Sequence, residues 1–153
     1  MTTTTTRLQA IPVVSSGHLN CMRTIRNSGS SGYSGPDVQI SEDDQQRWWH
    51  GQVATGSAKA WLFAQHGTVV GFGMVMYRPE EHHWSPSAGV LPEHQGRGYG
   101  KWIVSWLAQE AAREGYVLFA KAKHSNRAAI ATHDPEYWEQ IGIDDDYLYF
   151  RSQ

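Results

Sequence analysis

Gly96, Gly98 and Gly100 stand within five residues, between a proline and the longest amphipathic run of the chain. No other feature constrains the fold as strongly. Residues 84–91 read as an extended run, and Pro92 ends it, because proline has no N–H to give a sheet ladder. Residues 98–114 place Tyr99, Trp102, Ile103, Trp106, Leu107 and Ala111 on one helical stripe. Gly115 follows where a helix-ending glycine belongs. The segment is therefore strand, glycine turn, helix. Glycines let a backbone come close to a ligand. The first N–H groups of a helix lack internal partners and lie at the positive end of its dipole, an arrangement that binds phosphate oxygens. Arg97 and Lys101 add charge at the same place.

Two common phosphate-binding patterns fail here. A P-loop requires Gly-x-x-x-x-Gly-Lys-Ser/Thr. Aligned on Gly100 and Lys101, it meets Gln95 where glycine is needed and Trp102 where a magnesium-binding hydroxyl is needed. The dinucleotide pattern Gly-x-Gly-x-x-Gly fails on the spacing of Gly96, Gly98 and Gly100. What does occur is Gln/Arg-x-x-Gly-x-Gly/Ala, on Gln95, Gly98 and Gly100, preceded by Val90 and Pro92.

The rest of the chain bounds the answer. Its 153 residues suit one domain, expected over 10–153 behind a disordered tail at 1–9. A net charge of −2 argues against a general nucleic-acid binder. The single cysteine, Cys21, rules out an internal disulfide framework. Eight histidines show no His-x-His or His-Glu-x-x-His spacing, so no metal is expected. No apolar run reaches the roughly 20 residues of a membrane span. The threonine tract at 2–6 lacks the apolar stretch of a secretory signal, so no membrane partner and a cytoplasmic location are expected.

Along the chain, residues 11–14 read as a first strand and 18–27 as a first helix. Ser41 is a good N-cap for a second helix reaching Trp49 or Gln52, with Glu42, Asp43 and Asp44 in its first turn. Residues 60–66 and 69–77 form a hairpin, in which Gly71 and Gly73 indicate a bulge or close packing. A strand over 117–123, a helix over 126–132, a fresh helical turn at Asp134 and Pro135, and a last strand over 147–151 complete the order.

The glycine motif with its flanking Val90 and Pro92 resembles the GNAT superfamily of N-acetyltransferases. Asn126 and Ala129 are similar to the Asn-x-x-Ala stretch after that family's fifth strand, and Ile141, Gly142 and Ile143 to its Leu-Gly-Phe near the end of the last helix. The resemblance implies an α/β fold: a mixed, mostly antiparallel sheet, splayed between strands 4 and 5, with helices on both faces. It implies acetyl-CoA as cosubstrate. Backbone groups of Gln95, Gly96, Arg97, Gly98, Tyr99, Gly100 and Lys101 would hold its pyrophosphate, Val90 and Leu91 would pair with the pantetheine, and Asn126 would bond that arm. An N–H near Leu91 would stabilise the developing oxyanion.

Acyl transfer to an amine also requires proton carriers. Many relatives use a glutamate on the fourth strand as base, and residues 84–91 contain none. Glu81 and His83 precede the strand, and His83 has the better intrinsic pKa. The family's acid is often a tyrosine seven residues after the asparagine, where this chain has His133. Counting from Gly142 instead reaches Trp138, beside Tyr137. Tyr137 or His133 could serve, and Tyr137 is favoured. Tyr33, within the Gly/Ser stretch of residues 28–36, and Trp49, one of two adjacent tryptophans that cannot both face inward, are candidate acceptor contacts. The alternative for the tryptophan is a homodimer contact. The expected acceptor is the primary amine of a small molecule, an amino sugar or metabolite. A peptide amine, a nucleobase and CoA binding without turnover are the alternatives.

Overall fold

The computed structural model describes residues 7–28, 40–53 and 55–153. Its centre is the expected hairpin, β2 (Ala58–Gln65) and β3 (Thr68–Arg78). The turn falls on His66 and Gly67, with φ of 51° and 80°. Two consecutive positive φ angles suit the right-handed twist of the strands they join. β1 (Gln9–Pro12) pairs antiparallel with β2, and β4 (His83–Val90) with β3, so the first sheet runs β1-β2-β3-β4. A second sheet, β5-β7-β6, is built from β5 (Phe119–Lys123), β6 (Trp138–Ile143) and β7 (Tyr147–Ser152). A single parallel bridge, Trp84 to Leu118, links the sheets, and beyond it β4 and β5 diverge. This is the mixed, splayed sheet that the sequence implied.

Helices cover both faces, because alternate residues of β2 and β3 point opposite ways. Phe63 and Val75 face α3 (Tyr99–Glu114) and its fully buried Ile103 and Leu107. Gly71 and Gly73 let that helix approach. A Cβ on Gly73 would lie 3.0 Å from Ile103 Cγ2 and 3.0 Å from Phe63 Cε2. Both readings of these glycines hold: close packing at Gly71 and Gly73, and an irregular register beside Gly71, where Phe63 pairs with Gly71 and Ala64 with Val69. On the other face Ala60, Leu62, Phe72 and Met74 pack on Leu19, Met22 and Ile25 of α1 (Ser16–Asn27). Each such side chain contributes about 1.5–3 kcal/mol on burial.

Ser41 caps α2 (Glu42–Trp48), its hydroxyl accepting the Asp44 N–H at 3.1 Å. Gln45 Nε2 donates to the Leu19 carbonyl at 2.6 Å, and Asn27 binds both backbone groups of Ile40. These bonds tie α2 to α1. A π-helical turn, Trp49–Val53, continues α2 into β2.

The structure corrects three expectations. Order begins before residue 10, since Leu8 is buried in the core and Gln9 opens β1. Asp134 and Pro135 begin no helix. Residues 135–137 form a turn, and Ile141, Gly142 and Ile143 belong to the strand β6, which closes the second sheet beside β7. The short α4 (Arg127–Ala131) ends before them.

Candidate active site

The glycine turn has the predicted form. Gly96 and Gly98 have φ of 80° and 84°, the left-handed region, and nothing lies within 4 Å of where a Cβ would sit on either. The first intrahelical bond runs from Trp102 N–H to the Gly98 carbonyl at 3.1 Å. The amides of Gly98, Tyr99, Gly100 and Lys101 therefore have no partner within the helix. The Tyr99 side chain is buried, and its hydroxyl donates to Gln65 Oε1, pinning the start of α3 to β2. Tyr99 thus offers a ligand only its backbone. Gln95 Nε2 donates to the Val90 carbonyl at 3.0 Å and shapes the loop from within. Arg97 is exposed, and Lys101 Nζ lies 3.8 Å from Asp134 Oδ2. Such a surface pair contributes at most about 1 kcal/mol and leaves Lys101 available to an anion.

Alongside the turn lies the open edge of β4. Leu91 N–H donates to the Val70 carbonyl at 2.9 Å, so this amide is consumed by β3 and is not free to pair with a ligand arm. Bonding alternates along an antiparallel ladder. In the register that pairs Val90 with Gly71 and Ala88 with Gly73, the amides of Val90 and Ala88 turn away from β3. Pro86 has the same parity, at a position where no donor is needed. Val90 keeps its predicted place at the edge, Leu91 loses it, and Ala88 is the residue that sequence reasoning missed. Pro86 was the available signal.

Between β4 and β5 lies a cleft of about 950 Å³. Gly100, Ala129, Thr132 and His133 line it on the side of the glycine turn, Met76, Glu81 and His83 line it near the start of β4, and Arg26 and Trp48 also line it. A Cβ on Gly100 would lie 3.4 Å from Thr132 Cγ2 and 3.9 Å from Val90 Cγ2. The amide turn, the strand edge and the end of α4 therefore converge there. His83 stands five residues from Ala88, about 17 Å at roughly 3.3 Å per residue. Its Nε2 lies 2.9 Å from Glu81 Oε2, and its ring rests 5.1 Å from that of Phe119.

The other predicted residues fare differently. Asn126 caps α4, its Oδ1 accepting the Ala129 N–H at 3.1 Å, so only its Nδ2 hydrogens remain for a ligand. Tyr137 lines a separate groove with Arg7, Lys101, Trp102 and Trp106, not the cleft. The turn at 135–137 carries it to the outer flank of α3, whereas His133 enters the cleft wall. Both Trp48 and Trp49 pack against the α1 side of the core, contrary to the expectation that one would face outward, and of the two only Trp48 also lines the cleft. Tyr33 lies outside the described residues. Burial pushes the Cys21 thiol up, which disfavours a thiolate nucleophile in α1. Among the described residues, no three His, Cys, Asp or Glu side chains gather to hold a metal, and no helix is long and apolar enough to cross a membrane.

This geometry suits an extended ligand. A diphosphate fits the amide turn, and an amide-bearing arm can add to the free edge of β4 as another strand would. Comparison with known proteins agrees. The acetyltransferase (GNAT) family matches residues 22–134. No curated protein matches the sequence. Solved structures resemble the whole fold at low identity. The structure of yncA from Salmonella typhimurium, with its cofactor acetyl-CoA, has a TM-score of 0.72 at 20% identity, over 95% of this chain and 93% of that one. A ribosomal-protein-alanine N-acetyltransferase from Brucella melitensis gives 0.75 at 19%, over 96% and 99%. Spermidine N-acetyltransferase from Vibrio cholerae, in complex with CoA and spermine, gives 0.73 at 12%, over 95% and 93%.

Proposed function

Because the chain belongs to the acetyltransferase (GNAT) family and is an acetyltransferase, we propose that it transfers an acyl group from acetyl-CoA directly to the primary amine of a small molecule. One observation carries the reading: the unpartnered amides of Gly98 to Lys101 and the open edge of β4 meet at Gly100, as a diphosphate with an amide-bearing arm requires. The residues fit acetyl-CoA. The turn amides, with Arg97 and Lys101, would hold its phosphates, Val90 and Ala88 its pantetheine, and Asn126 Nδ2 the same arm. When bound, acetyl-CoA supplies the activated acyl carbon.

The chain's own groups do the rest. One amide of this edge, Val90 or Ala88, would face the acyl oxygen, where negative charge develops, and the other would bond the pantetheine arm. A single donor of this kind contributes about 100- to 1,000-fold in rate. An alkyl amine has a pKa near 10 and arrives protonated. That first proton leaves to water, because His83, 2.9 Å from Glu81, stands about 17 Å from Ala88 and does not reach an amine at that edge. Trp48, Met74 and Met76 give the acceptor an apolar wall, with Glu80 and Glu81 facing its charge. The likeness to a spermidine acetyltransferase supports a small amine acceptor.

The test is release of CoA thiol from acetyl-CoA with a panel of small amines and of peptides with free N-termini. Turnover with small amines, at kcat/KM well above that for peptides, is expected. Turnover confined to peptides would overturn the acceptor class, and no heat of binding with acetyl-CoA would overturn the whole reading.

A further inference from the structure

We propose that the acceptor is an amino acid, a small molecule with a free carboxylate beside its reacting amine, and that Arg78 and the Trp48 N–H hold that carboxylate. The inference rests on the acetyl-transfer reading above and names the substrate class that reading leaves open. In the balanced reaction the amine nitrogen takes the acyl group, the C–N bond forming as the C–S bond breaks. Of the two protons the ammonium gives up, one ends in water and one on the CoA sulfur. The carboxylate is unchanged.

Register is the first argument. The β3–β4 ladder sets Met74 opposite Ser87, Met76 opposite Ser85 and Arg78 opposite His83. Residues directly opposite share a face of the sheet. Met74 and Met76 pack on the α1 side of the core, as Trp48 does, so this face is the wall under the first two helices, and it lines the cleft. Arg78 Nε donates to Ser85 Oγ at 3.0 Å, which lays the guanidinium along β4 in the direction of the edge amides. Ser85 is three residues from Ala88, about 10 Å at roughly 3.3 Å per residue. An amino acid hydrogen-bonded at both ends spans about that length.

Donor and acceptor chemistry is the second. Trp48 Nε1–H is buried, belongs to a residue of the cleft wall, and has no acceptor among the described residues. An indole nitrogen only donates, and so does a guanidinium. A buried donor without a partner points to an acceptor atom supplied by the ligand. An ammonium has no lone pair to offer, whereas a carboxylate offers two oxygens and pairs with arginine in a fork. A simple diamine would therefore leave the Trp48 N–H unpaired, and an amino acid would not.

Charge is the third. Arg26, in the last turn of α1, brings a second guanidinium to the cleft. Among the described residues Arg78 forms no ion pair, and Glu81, three positions on, is engaged by His83 at 2.9 Å. Glu80 lines the cleft as well. The cleft thus presents guanidiniums and carboxylates together. A zwitterion answers both signs, and a diamine answers only the acids. Met74, Met76 and Trp48 leave an apolar strip for the side chain of the amino acid.

The test compares matched acceptors by thiol release: phenylalanine against phenethylamine, leucine against isoamylamine, and glucosamine beside them. A hydrogen bond to a charged group contributes about 10- to 150-fold, so the wild-type kcat/KM for the amino acid should exceed that for its decarboxylated amine by at least about 10-fold. In Arg78→Gln that ratio should fall about 10- to 150-fold, through KM rather than kcat, with the CoA Kd within about twofold of wild type. Trp48→Phe keeps a ring, removes the N–H, and should lower the ratio too. Decarboxylated amines or glucosamine used as well as the amino acids, or a ratio unmoved in Arg78→Gln, would overturn the inference alone. Turnover with no small amine at all, or no heat of CoA binding, would overturn the acetyl-transfer reading beneath it. The wild-type comparison needs no variant, so a misfolded substitution does not protect the proposal.

Discussion

Replacing Gly98 with alanine separates the grip on phosphate from the fold. Gly98 has φ of 84°, and nothing lies within 4 Å of its Cβ position, so Gly98→Ala meets no clash. Its cost is conformational, about 1–2 kcal/mol for an L-residue held left-handed. In a chain of this size that lowers the melting temperature by roughly 2–8 °C. If the backbone relaxes toward negative φ, the amide plane between Gly98 and Tyr99 rotates and one donor leaves the turn. A hydrogen bond to a charged oxygen contributes about 1.5–3 kcal/mol, so the CoA Kd should rise roughly 10- to 150-fold. Gly115→Ala is the matched control. Gly115 has φ of 88° and equally open space, at the opposite end of the same helix. It should show the same melting loss and an unchanged Kd. Calorimetric titration with CoA and thermal melts of both variants decide the matter. If Gly98→Ala melts early but binds CoA within twofold of wild type, the turn does not hold the phosphates and the reasoning is wrong.

Further outcomes follow from single contacts. Gly73→Ala forces a Cβ to 3.0 Å from Ile103 Cγ2 and Phe63 Cε2, and should cost about 1–3 kcal/mol, seen as a lower urea midpoint at constant slope. His133 is buried neutral with its pKa lowered, so the unfolded chain binds the proton more readily. Stability should therefore fall as pH drops below about 6.5 and level off below the folded-state value, and His133→Gln should flatten that part of the urea-derived curve. Asn126→Ala removes the cap on α4 and should cost about 0.5–2 kcal/mol. Asn126→Ser keeps a capping oxygen and should stay near wild-type stability, while both variants weaken CoA binding in titration.

The legible parts of the fold were local ones. The stripe from Tyr99 to Ala111 and the glycines around it specify α3 without help from distant residues. So do the Ser41 cap and the β2–β3 hairpin. β6 was not legible. Asp134 and Pro135 signal a helix start, and the strand after them has little apolar alternation, with Ile141 and Ile143 exposed at 48% and 64%. Pairing with β7, a long-range contact, makes it a strand. The site divides the same way. The phosphate turn is one continuous segment, whereas the amides that face the cleft depend on how β4 pairs with β3. Leu91 failed by that parity, and Pro86 could have revealed it. Counting back from Gly142 assumed a helix between it and Asn126. The turn at 135–137 breaks that count and leaves His133, not Tyr137, in the cleft. Trp48 and Trp49 both pack inward where α2 passes into a π turn at Trp49, a helix form that the local sequence did not signal.

Amide proton–nitrogen spectra of the labelled protein, recorded as CoA is added, test the central claim most directly. The largest shifts should fall on the Gly98, Tyr99, Gly100 and Lys101 amides and on Val90 and Ala88, with Leu91 moving less because its N–H stays on Val70. Saturating CoA that leaves those six amides in place, or that perturbs the groove around Trp106 and Tyr137 instead, would contradict it.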